Sequence, residues 1–152
     1  MGSARVTWVR GRQFVAETGS GHALVLDTPK EFNGSGTGPS PMELILLGQA
    51  GCTAIDVVFI LERMKKEVTG VEVGVEGTRA STEPKVYTEL EVTYRIRGRK
   101  LAEKDVRRAI ELSETKYCSV SIMLSKTATI RSRYRIVDED TGERIEGALD
   151  ED

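Results

Sequence analysis

The amino-acid sequence predicts an α+β protein, and three observations lead to that class. Three short β-rich segments separated by glycine-containing turns occupy residues 4–27. A long apolar segment that begins like a helix follows them, and two alternating segments and further helices come after it. Strands and helices in separate runs are typical of α+β proteins rather than of a doubly wound parallel sheet. The chain of 152 residues has the length of one domain.

The amino-terminal segments have the pattern of a β-meander. Residues 4–9, 13–18 and 22–27 are rich in β-branched and apolar side chains, and the turns between them contain glycine. Residues 28–40 contain three glycines and two prolines, a composition typical of a loop that can move. We therefore expect three antiparallel strands followed by a flexible loop.

The central helix has a strong amino-terminal signal. Ser40 can cap it, Pro41 suits the first helical position, and Glu43 stands where a capping box places its acidic residue. Residues 44–61 are apolar on nearly every side, so this helix needs a sheet on one face and another partner on the other, for which a second subunit is a candidate. We expect the helix to end near residue 66 or 67, with Gly70 as the breaker.

The second half of the chain combines strands and helices. Residues 71–79 and 86–97 alternate between apolar and polar side chains, the pattern of half-buried antiparallel strands. An amphipathic helix is expected at residues 102–116, a short apolar helix at 120–126 and a last strand at 127–137. The predicted order is β-β-β-α-β-β-α-α-β, with antiparallel sheets around the central buried helix, in a single domain over residues 1–137.

Charge and composition exclude several classes of protein. The net charge is −2, yet residues 138–152 carry eight acidic side chains and one arginine. We expect this acidic tail to be solvated and mobile, and the mildly basic remainder lacks the clustered basic face of a nucleic-acid-binding protein. No signal peptide is recognised, and Gln49 and Asp56 interrupt the longest apolar segment. The expectation is a cytoplasmic protein without membrane or nucleic-acid partners.

Two cysteines and one histidine limit the chemistry. Cys52, Cys118 and His22 are too few for a structural zinc site, and no Cys-x-x-Cys motif indicates thioredoxin-like exchange. A structural disulfide is not expected in a reducing compartment. His22 stands at the start of a strand, where a surface position is the ordinary interpretation. The cysteines have two interpretations that the residues alone leave open: inert buried thiols, or thiols that carry out redox chemistry.

The surroundings of the cysteines favour chemistry. Small residues flank Cys52, so that a substrate can approach its sulfur closely. Asp56 follows one helical turn later on the same face, and its negative charge would raise the pKa of the Cys52 thiol. A reactive Cys52 therefore requires a nearby cation. Cys118 precedes the short helix, whose amino end is expected to lower the pKa of that thiol.

Two motifs give the chain a resemblance to a known family. The letters PSPMEL at residues 39–44, with AGC at 50–52, resemble the helix entry of the osmotically inducible protein C and organic hydroperoxide resistance (OsmC/Ohr) family. The letters YCSVSIML at residues 117–124 resemble that family's second cysteine motif. Both occur in the family's order, and the resemblance covers about residues 4–137. The segment GCTAIDVV at residues 51–58 most resembles the YhfA-like branch of that family.

The resemblance implies a fold, a reaction and partners. The implied OsmC-like fold is an intertwined homodimer with sites at the subunit interface. Cys52 would attack the terminal oxygen of an organic hydroperoxide and become a sulfenic acid, and Cys118 would condense with it to a disulfide. An external dithiol or lipoyl-type reductant would then reduce that disulfide. No metal or organic cofactor is implied.

Two positions depart from the family's pattern. The peroxidases hold the thiolate with an arginine of the meander; Arg12 stands at that place, with Arg10 as the alternative. They also use a glutamate ten residues before the first cysteine, where this chain has Met42. Glu43 is adjacent but points about 100° around the helix, and Asp56 is a candidate replacement. The expected catalytic residues are thus Cys52, Cys118, Arg12 and Asp56.

Three functions remain open on the sequence alone. The first is a thiol peroxidase for organic hydroperoxides that serves in defence against oxidative stress. The second is a module that binds a lipid-like or thiol ligand without turnover, and the third is a redox sensor. The paired cysteines favour the first and third functions, whereas the methionine at the usual glutamate position favours the second and third.

Overall fold

The computed structural model describes residues 2–150, and the chain forms two compact units that divide between Ile45 and Leu46. The first unit contains a three-stranded sheet, and the second contains a four-stranded sheet with helices packed on it. The predicted α+β class is confirmed, and so is the order of elements up to the predicted last strand. One strand is added after it. The assignment of residues 1–137 to a single domain stays a prediction.

The first unit is the predicted meander. Strands β1 (Ala4–Arg10), β2 (Gln13–Thr18) and β3 (Ala23–Leu26) form an antiparallel sheet in the order β1-β2-β3. Gly11 makes the first turn with a φ of 52°, a left-handed conformation that glycine adopts without steric strain. A short 3₁₀ turn, Lys30–Phe32, follows β3 in the loop.

The loop after β3 is anchored by the buried carboxylate of Asp27. That carboxylate accepts hydrogen bonds from the hydroxyl of Thr37, at 2.7 Å, and from the backbone N–H groups of Thr28, Ser35 and Thr37. The Thr37 hydroxyl foremost, and then the backbone donors, lower the pKa of Asp27 to about 2. Composition alone indicated a flexible loop, whereas one short acidic side chain ties the two ends of it together.

The central helix α1 (Pro41–Arg63) begins as predicted and ends earlier. The Ser40 N–H donates to the Glu43 carboxylate at 2.7 Å and the Glu43 N–H donates back to the Ser40 hydroxyl, so the capping box is confirmed. At the other end Lys65 is left-handed, with a φ of 60°, and the N–H groups of Lys65 and Lys66 bond to carbonyls of the last turn. This Schellman-type end replaces the predicted stop near residues 66–67, and Gly70 lies within the next strand.

The second unit is built on one mixed sheet in the order β4-β5-β6-β7. Its strands are β4 (Glu67–Arg79), β5 (Tyr87–Arg99), β6 (Thr129–Asp138) and β7 (Arg144–Ala148). The helices between β5 and β6 are α2 (Glu103–Leu112), a π-helical turn (Ser113–Tyr117) and α3 (Ser119–Leu124). Because these helices carry the chain back across the sheet, β6 runs parallel to β5, which corrects the expectation of antiparallel sheets throughout.

The acidic tail forms structure where a mobile segment was expected. Residues 144–148 form β7, which pairs antiparallel with β6 and sets Ile145 opposite Ile136. Ile145 and Leu149 pack on the core, and the buried Asp138 accepts hydrogen bonds from the backbone N–H groups of the turn that leads to β7. The apolar residues within the tail therefore decide its structure, although acidic residues outnumber them. The last two residues of the tail lie outside the described part of the chain.

The core of the second unit lies between α1, α2 and the sheet. Val57 and Leu61 of α1 are fully buried in it, together with Val92, Tyr94, Ile96, Val106, Ala109 and Ile110. By length and composition alone α1 could also cross a membrane, contrary to the exclusion made from the sequence. Core helices of soluble folds meet the same criteria, and the buried face of α1 packs on this core.

Candidate functional site

The two cysteines meet within the second unit. The Sγ atoms of Cys52 and Cys118 and a carboxylate oxygen of Asp56 all lie within 4.8 Å of one another. The two thiols are unbonded and adjacent, so a disulfide could form between them with little movement of the side chains. Residues separated by 66 positions in the sequence are thus brought together, as redox chemistry between them requires.

The position of each group follows from the local fold. Cys52 and Asp56 are one turn apart on α1, so both point to the same side of the helix. Cys118 is the residue at which the π-helical turn ends and α3 begins, and its sulfur accepts a hydrogen bond from the Ser121 N–H at 3.3 Å. The Gln49 amide donates to the Ser121 hydroxyl at 2.8 Å and so ties α1 to α3 next to the cysteines.

The two thiols differ in accessibility and in their protonation. Cys118 is completely buried, whereas Cys52 is partly exposed. Burial raises the pKa of the Cys118 thiol above its ordinary value, and the neighbouring Cys52 thiol adds to the rise. The expectation of a lowered pKa at Cys118 is therefore wrong, because α3 has only six residues and desolvation outweighs its amino end.

A chain of hydroxyl groups leads away from this site through the core. The Ser113 hydroxyl donates to Asp56 at 3.2 Å and contacts the Thr53 hydroxyl at 2.8 Å. Thr53 contacts the hydroxyl of Tyr94 at 2.8 Å, and the Tyr94 hydroxyl is hydrogen-bonded to the Glu114 carboxyl at 2.8 Å. We call Ser113, Thr53 and Tyr94 the hydroxyl chain, since it joins the carboxyl beside the cysteines to a second carboxyl.

Burial sets the protonation of the hydroxyl chain. Thr53, Tyr94 and Ser113 are fully buried, and Glu114 is partly buried. Desolvation, with the nearby charge of Glu114, raises the pKa of Tyr94 far above its ordinary value. Desolvation likewise raises the pKa of Glu114, although hydrogen bonds from Ser132 and Tyr94 oppose the rise.

The sequence did not predict the residues of the hydroxyl chain. Tyr94 and Thr53 stand at core positions of a strand and a helix, where a packing role is the ordinary interpretation. A signal was nevertheless present, because hydroxyl groups at positions with core spacing need hydrogen-bond partners. Only the fold shows that their partners are one another.

Arg12, Arg10 and His22 lie in the first unit. Arg12 is in the turn between β1 and β2 with an exposed side chain, and Arg10 is the last residue of β1. His22 is exposed beside the turn before β3, and its ring contacts the Ser20 hydroxyl at 3.1 Å. The surface interpretation of His22 is therefore supported. Glu43 serves as the capping residue of α1, which accounts for its carboxylate without a role at the cysteines.

The arrangement of the two thiols suits disulfide chemistry between them. Two sulfurs of unequal accessibility lie side by side, one open to a reactant and one protected. The three donor atoms of the cluster fall short of the four that a structural zinc site uses, and we assign no metal to them. One buried atom nearby, the Gln49 Oε1, has no hydrogen-bond partner among the described residues.

A family model and a curated relative both match most of the chain. A family model described as OsmC-like protein matches residues 34–133. Protein YhfA of Escherichia coli K12 is 40% identical over 134 residues, which is 88% of this chain and 97% of that protein.

Solved structures share the fold. A hypothetical protein from Aquifex aeolicus is 27% identical, with a TM-score of 0.80 over 91% of this chain and 98% of that one. An organic hydroperoxide resistance protein, OsmC, from Legionella pneumophila is 20% identical, with a TM-score of 0.68 over 90% of this chain and 96% of that one.

Proposed function

Because the chain belongs to the OsmC-like protein family, we propose that it is a thiol peroxidase that reduces organic hydroperoxides. The observation that carries this proposal is the pair of adjacent, unbonded thiols of Cys52 and Cys118, one partly exposed and the other buried. The Legionella protein of the same fold is named for organic hydroperoxide resistance, which supports the substrate class. A role in the response to oxidative stress follows from that activity.

In the first step the Cys52 thiolate attacks the terminal oxygen of the hydroperoxide. The O–O bond breaks, the alkoxide takes up a proton and leaves as the alcohol, and Cys52 becomes a sulfenic acid. The Cys118 sulfur then attacks the Cys52 sulfur, the hydroxyl leaves as water after protonation, and the Cys52–Cys118 disulfide forms. Overall the two thiols are oxidised by two electrons and the peroxide is reduced by two.

Accessibility supports this division of roles. Hydroperoxide can reach the partly exposed Cys52, whereas Cys118 is completely buried. The protonated Cys118 is held in place by the Ser121 N–H until the sulfenic acid forms beside it. An external dithiol, such as a lipoyl-type reductant, would attack the accessible Cys52 sulfur of the disulfide and release Cys118 as the leaving thiol.

The Cys52 thiolate requires a compensating positive charge, since Asp56 lies beside it. We nominate Arg12, with Arg10 as the alternative. The nomination rests on the resemblance, because Arg12 stands at the place in the meander where the family's peroxidases carry the arginine that holds the thiolate. Asp56 accordingly takes the place of the family's missing glutamate as the carboxylate of the site.

We further propose that the protein functions as a homodimer in the cytoplasm. Leu47, Ile55 and Phe59 recur at four- and eight-residue spacing on one side of α1, and they are 61%, 72% and 57% exposed. An apolar stripe of this kind on the central helix is costly in water and is typical of a subunit interface.

The test is consumption of cumene hydroperoxide in the presence of a dithiol. Wild-type protein should turn over, Cys52→Ser should be inactive, and Cys118→Ser should complete a single turnover. Absence of turnover by wild-type protein with monothiol, dithiol and lipoyl reductants would overturn the proposal. A ligand-binding role on the same fold would then take its place.

A further inference from the structure

The hydroxyl chain lacks one hydrogen if both of its terminal carboxyls are ionised. Five oxygen–oxygen contacts connect Asp56, the three hydroxyl groups, Glu114 and the branch residue Ser132. The four hydroxyl groups supply only four hydrogens. One contact would then bring two oxygens together without a hydrogen between them, although the hydroxyl groups concerned are fully buried. One further proton, on either Asp56 or Glu114, completes all five hydrogen bonds.

That proton can occupy either end of the hydroxyl chain. With the proton on Glu114, every link donates toward Asp56: Glu114 to Tyr94, Tyr94 to Thr53, Thr53 to Ser113, and Ser113 to Asp56. With the proton on Asp56, every one of these links points the other way and Glu114 is the anion. Ser132 donates to Glu114 in both arrangements. The two states differ only by a concerted shift of each hydrogen across its own bond.

We propose that Asp56 and Glu114 share one proton through the hydroxyl chain, and that this proton moves to Asp56 when the Cys52 thiolate forms. In the step itself Cys52 releases its proton to solvent, Glu114 gives its proton to Tyr94, and each hydroxyl passes one on until Asp56 is neutral. The negative charge of the carboxyl pair thereby leaves the vicinity of the sulfur and settles on Glu114. Thr53, Tyr94, Ser113 and Glu114 are positioning residues in this scheme, since they act on Cys52 through Asp56.

The charges that face the chain fit this direction of transfer. Cys52 and Cys118 lie beside Asp56, so a negative charge on Asp56 opposes thiolate formation. At the other end burial foremost, and then the charge of Asp150, raise the pKa of Glu114. In the proposed scheme Glu114 therefore holds the proton while Cys52 is a thiol. Tyr94, the hydroxyl next to Glu114, also lies near Cys118. Arg12, the cation proposed for Cys52, is left unchanged in every variant of the test.

The inference rests on the proposed function for its role but is tested without peroxide. The pH dependence of Cys52 alkylation by iodoacetamide, followed by mass spectrometry in a Cys118→Ser background, reports thiolate formation at that one sulfur. Glu114→Gln can still donate a hydrogen bond to Tyr94 but cannot give up a proton, so Asp56 stays ionised. The alkylation profile should move to higher pH by about one unit, which slows alkylation near neutral pH about tenfold. Tyr94→Phe, which interrupts the hydroxyl chain, should also move the alkylation profile of Cys52 to higher pH.

Coupling to Asp56 separates proton sharing from a merely structural effect. In an Asp56→Asn background position 56 carries no negative charge, so the hydroxyl chain has no charge there to neutralise. Adding Glu114→Gln to this background should therefore leave the alkylation profile of Cys52 unchanged. Tyr134→Phe is the matched control, because Tyr134 is an equally buried tyrosine that bonds a different glutamate, Glu103. It should leave the profile of Cys52 unchanged. Far-ultraviolet circular dichroism confirms that each variant is folded.

Two results would overturn the inference. One is an unchanged profile in folded Glu114→Gln and Tyr94→Phe. The other is an equal shift on adding Glu114→Gln to the Asp56→Asn background, since the effect would then not pass through Asp56. If wild-type protein shows no peroxide turnover but the variants show the predicted alkylation shifts, the proposed function is refuted and the inference of a shared proton stands.

Discussion

Tyr94 and Tyr134 are register partners on the parallel strands β5 and β6, and each is hydrogen-bonded to a different glutamate. Tyr94 bonds Glu114 at 2.8 Å and belongs to the thiol site, whereas Tyr134 bonds Glu103 at 2.6 Å and accepts from Arg107 at 3.1 Å. Two buried tyrosines side by side thus belong to two different hydrogen-bond systems. One joins the cysteines to a buried carboxyl, and the other joins α2 to the strands.

Replacement of Tyr134 by Phe should lower stability without changing the thiols. The substitution leaves Glu103 and the Arg107 guanidinium without their shared hydroxyl partner. The free energy of unfolding should fall by about 1–2 kcal/mol, measured by urea denaturation. Peroxide consumption by the folded variant should equal that of wild-type protein, and a large loss of activity would show that the two tyrosine systems are linked.

Cys118→Ser should accumulate a sulfenic acid on Cys52 after one equivalent of organic hydroperoxide. Without Cys118 no disulfide can form within the site, and the oxidised sulfur waits for an external thiol. A dimedone-type probe followed by peptide mass spectrometry should label Cys52 in this variant and label neither cysteine in Cys52→Ser. Labelling of Cys118 in Cys52→Ser would reverse the assigned roles.

Phe59→Glu should weaken the proposed homodimer. It places a charge in the exposed apolar stripe of α1, and a buried unpaired charge opposes association. Light scattering should give twice the subunit mass of 16.7 kDa for wild-type protein and a value nearer one subunit for the variant. Val86→Glu, at an exposed apolar residue outside the stripe, is the control and should remain dimeric. A wild-type monomer at micromolar concentration would end the dimer hypothesis.

Asp27 should contribute stability that disappears in acid. Its folded pKa of about 2 lies below the ordinary value of 3.8 for an aspartate, so the folded state favours the ionised carboxylate. The contribution is therefore complete above the unfolded pKa and is lost as the pH falls toward 2. Asp27→Asn should unfold at lower temperature than wild-type protein at neutral pH, and the difference between the two should shrink progressively below pH 4. A difference that stays constant across this range would assign the effect to packing rather than to charge.

Ile145→Ala tests whether the acidic tail contributes to the core. Ile145 is half-buried and packs on the core of the second unit, so the free energy of unfolding should fall by about 1–2 kcal/mol, less than for a fully buried isoleucine. Glu146→Ala is the matched control on the same strand, because its ion pair with Arg135 is exposed. It should change stability by less than about 0.5 kcal/mol. Equal stability of Ile145→Ala and wild-type protein would mean that β7 is only loosely attached.

Local patterns predicted the elements of this fold because the forces that create them act between near neighbours. The capping box at Ser40 and Glu43 is four residues long, and it begins α1 as expected. The end of α1 was placed too late, because a lysine in the left-handed conformation stops it where the sequence suggested a glycine. The acidic composition of the tail predicts a solvated segment, because it outweighs the two apolar residues, Ile145 and Leu149, that pack on the core.

The sequence by itself determined the α+β class, the order of the elements and the two cysteines as the candidate chemistry, since residue type and short-range periodicity carry that information. Tertiary structure alone decided that β6 runs parallel to β5, that Cys118 is buried with a raised pKa, and that Asp56 connects through hydroxyl groups to Glu114. These properties depend on desolvation and on hydrogen bonds between residues far apart in the sequence, such as Thr53 and Ser113, which are 60 positions apart. A protonation state is set by such neighbours in space, and no local pattern along the chain contains them.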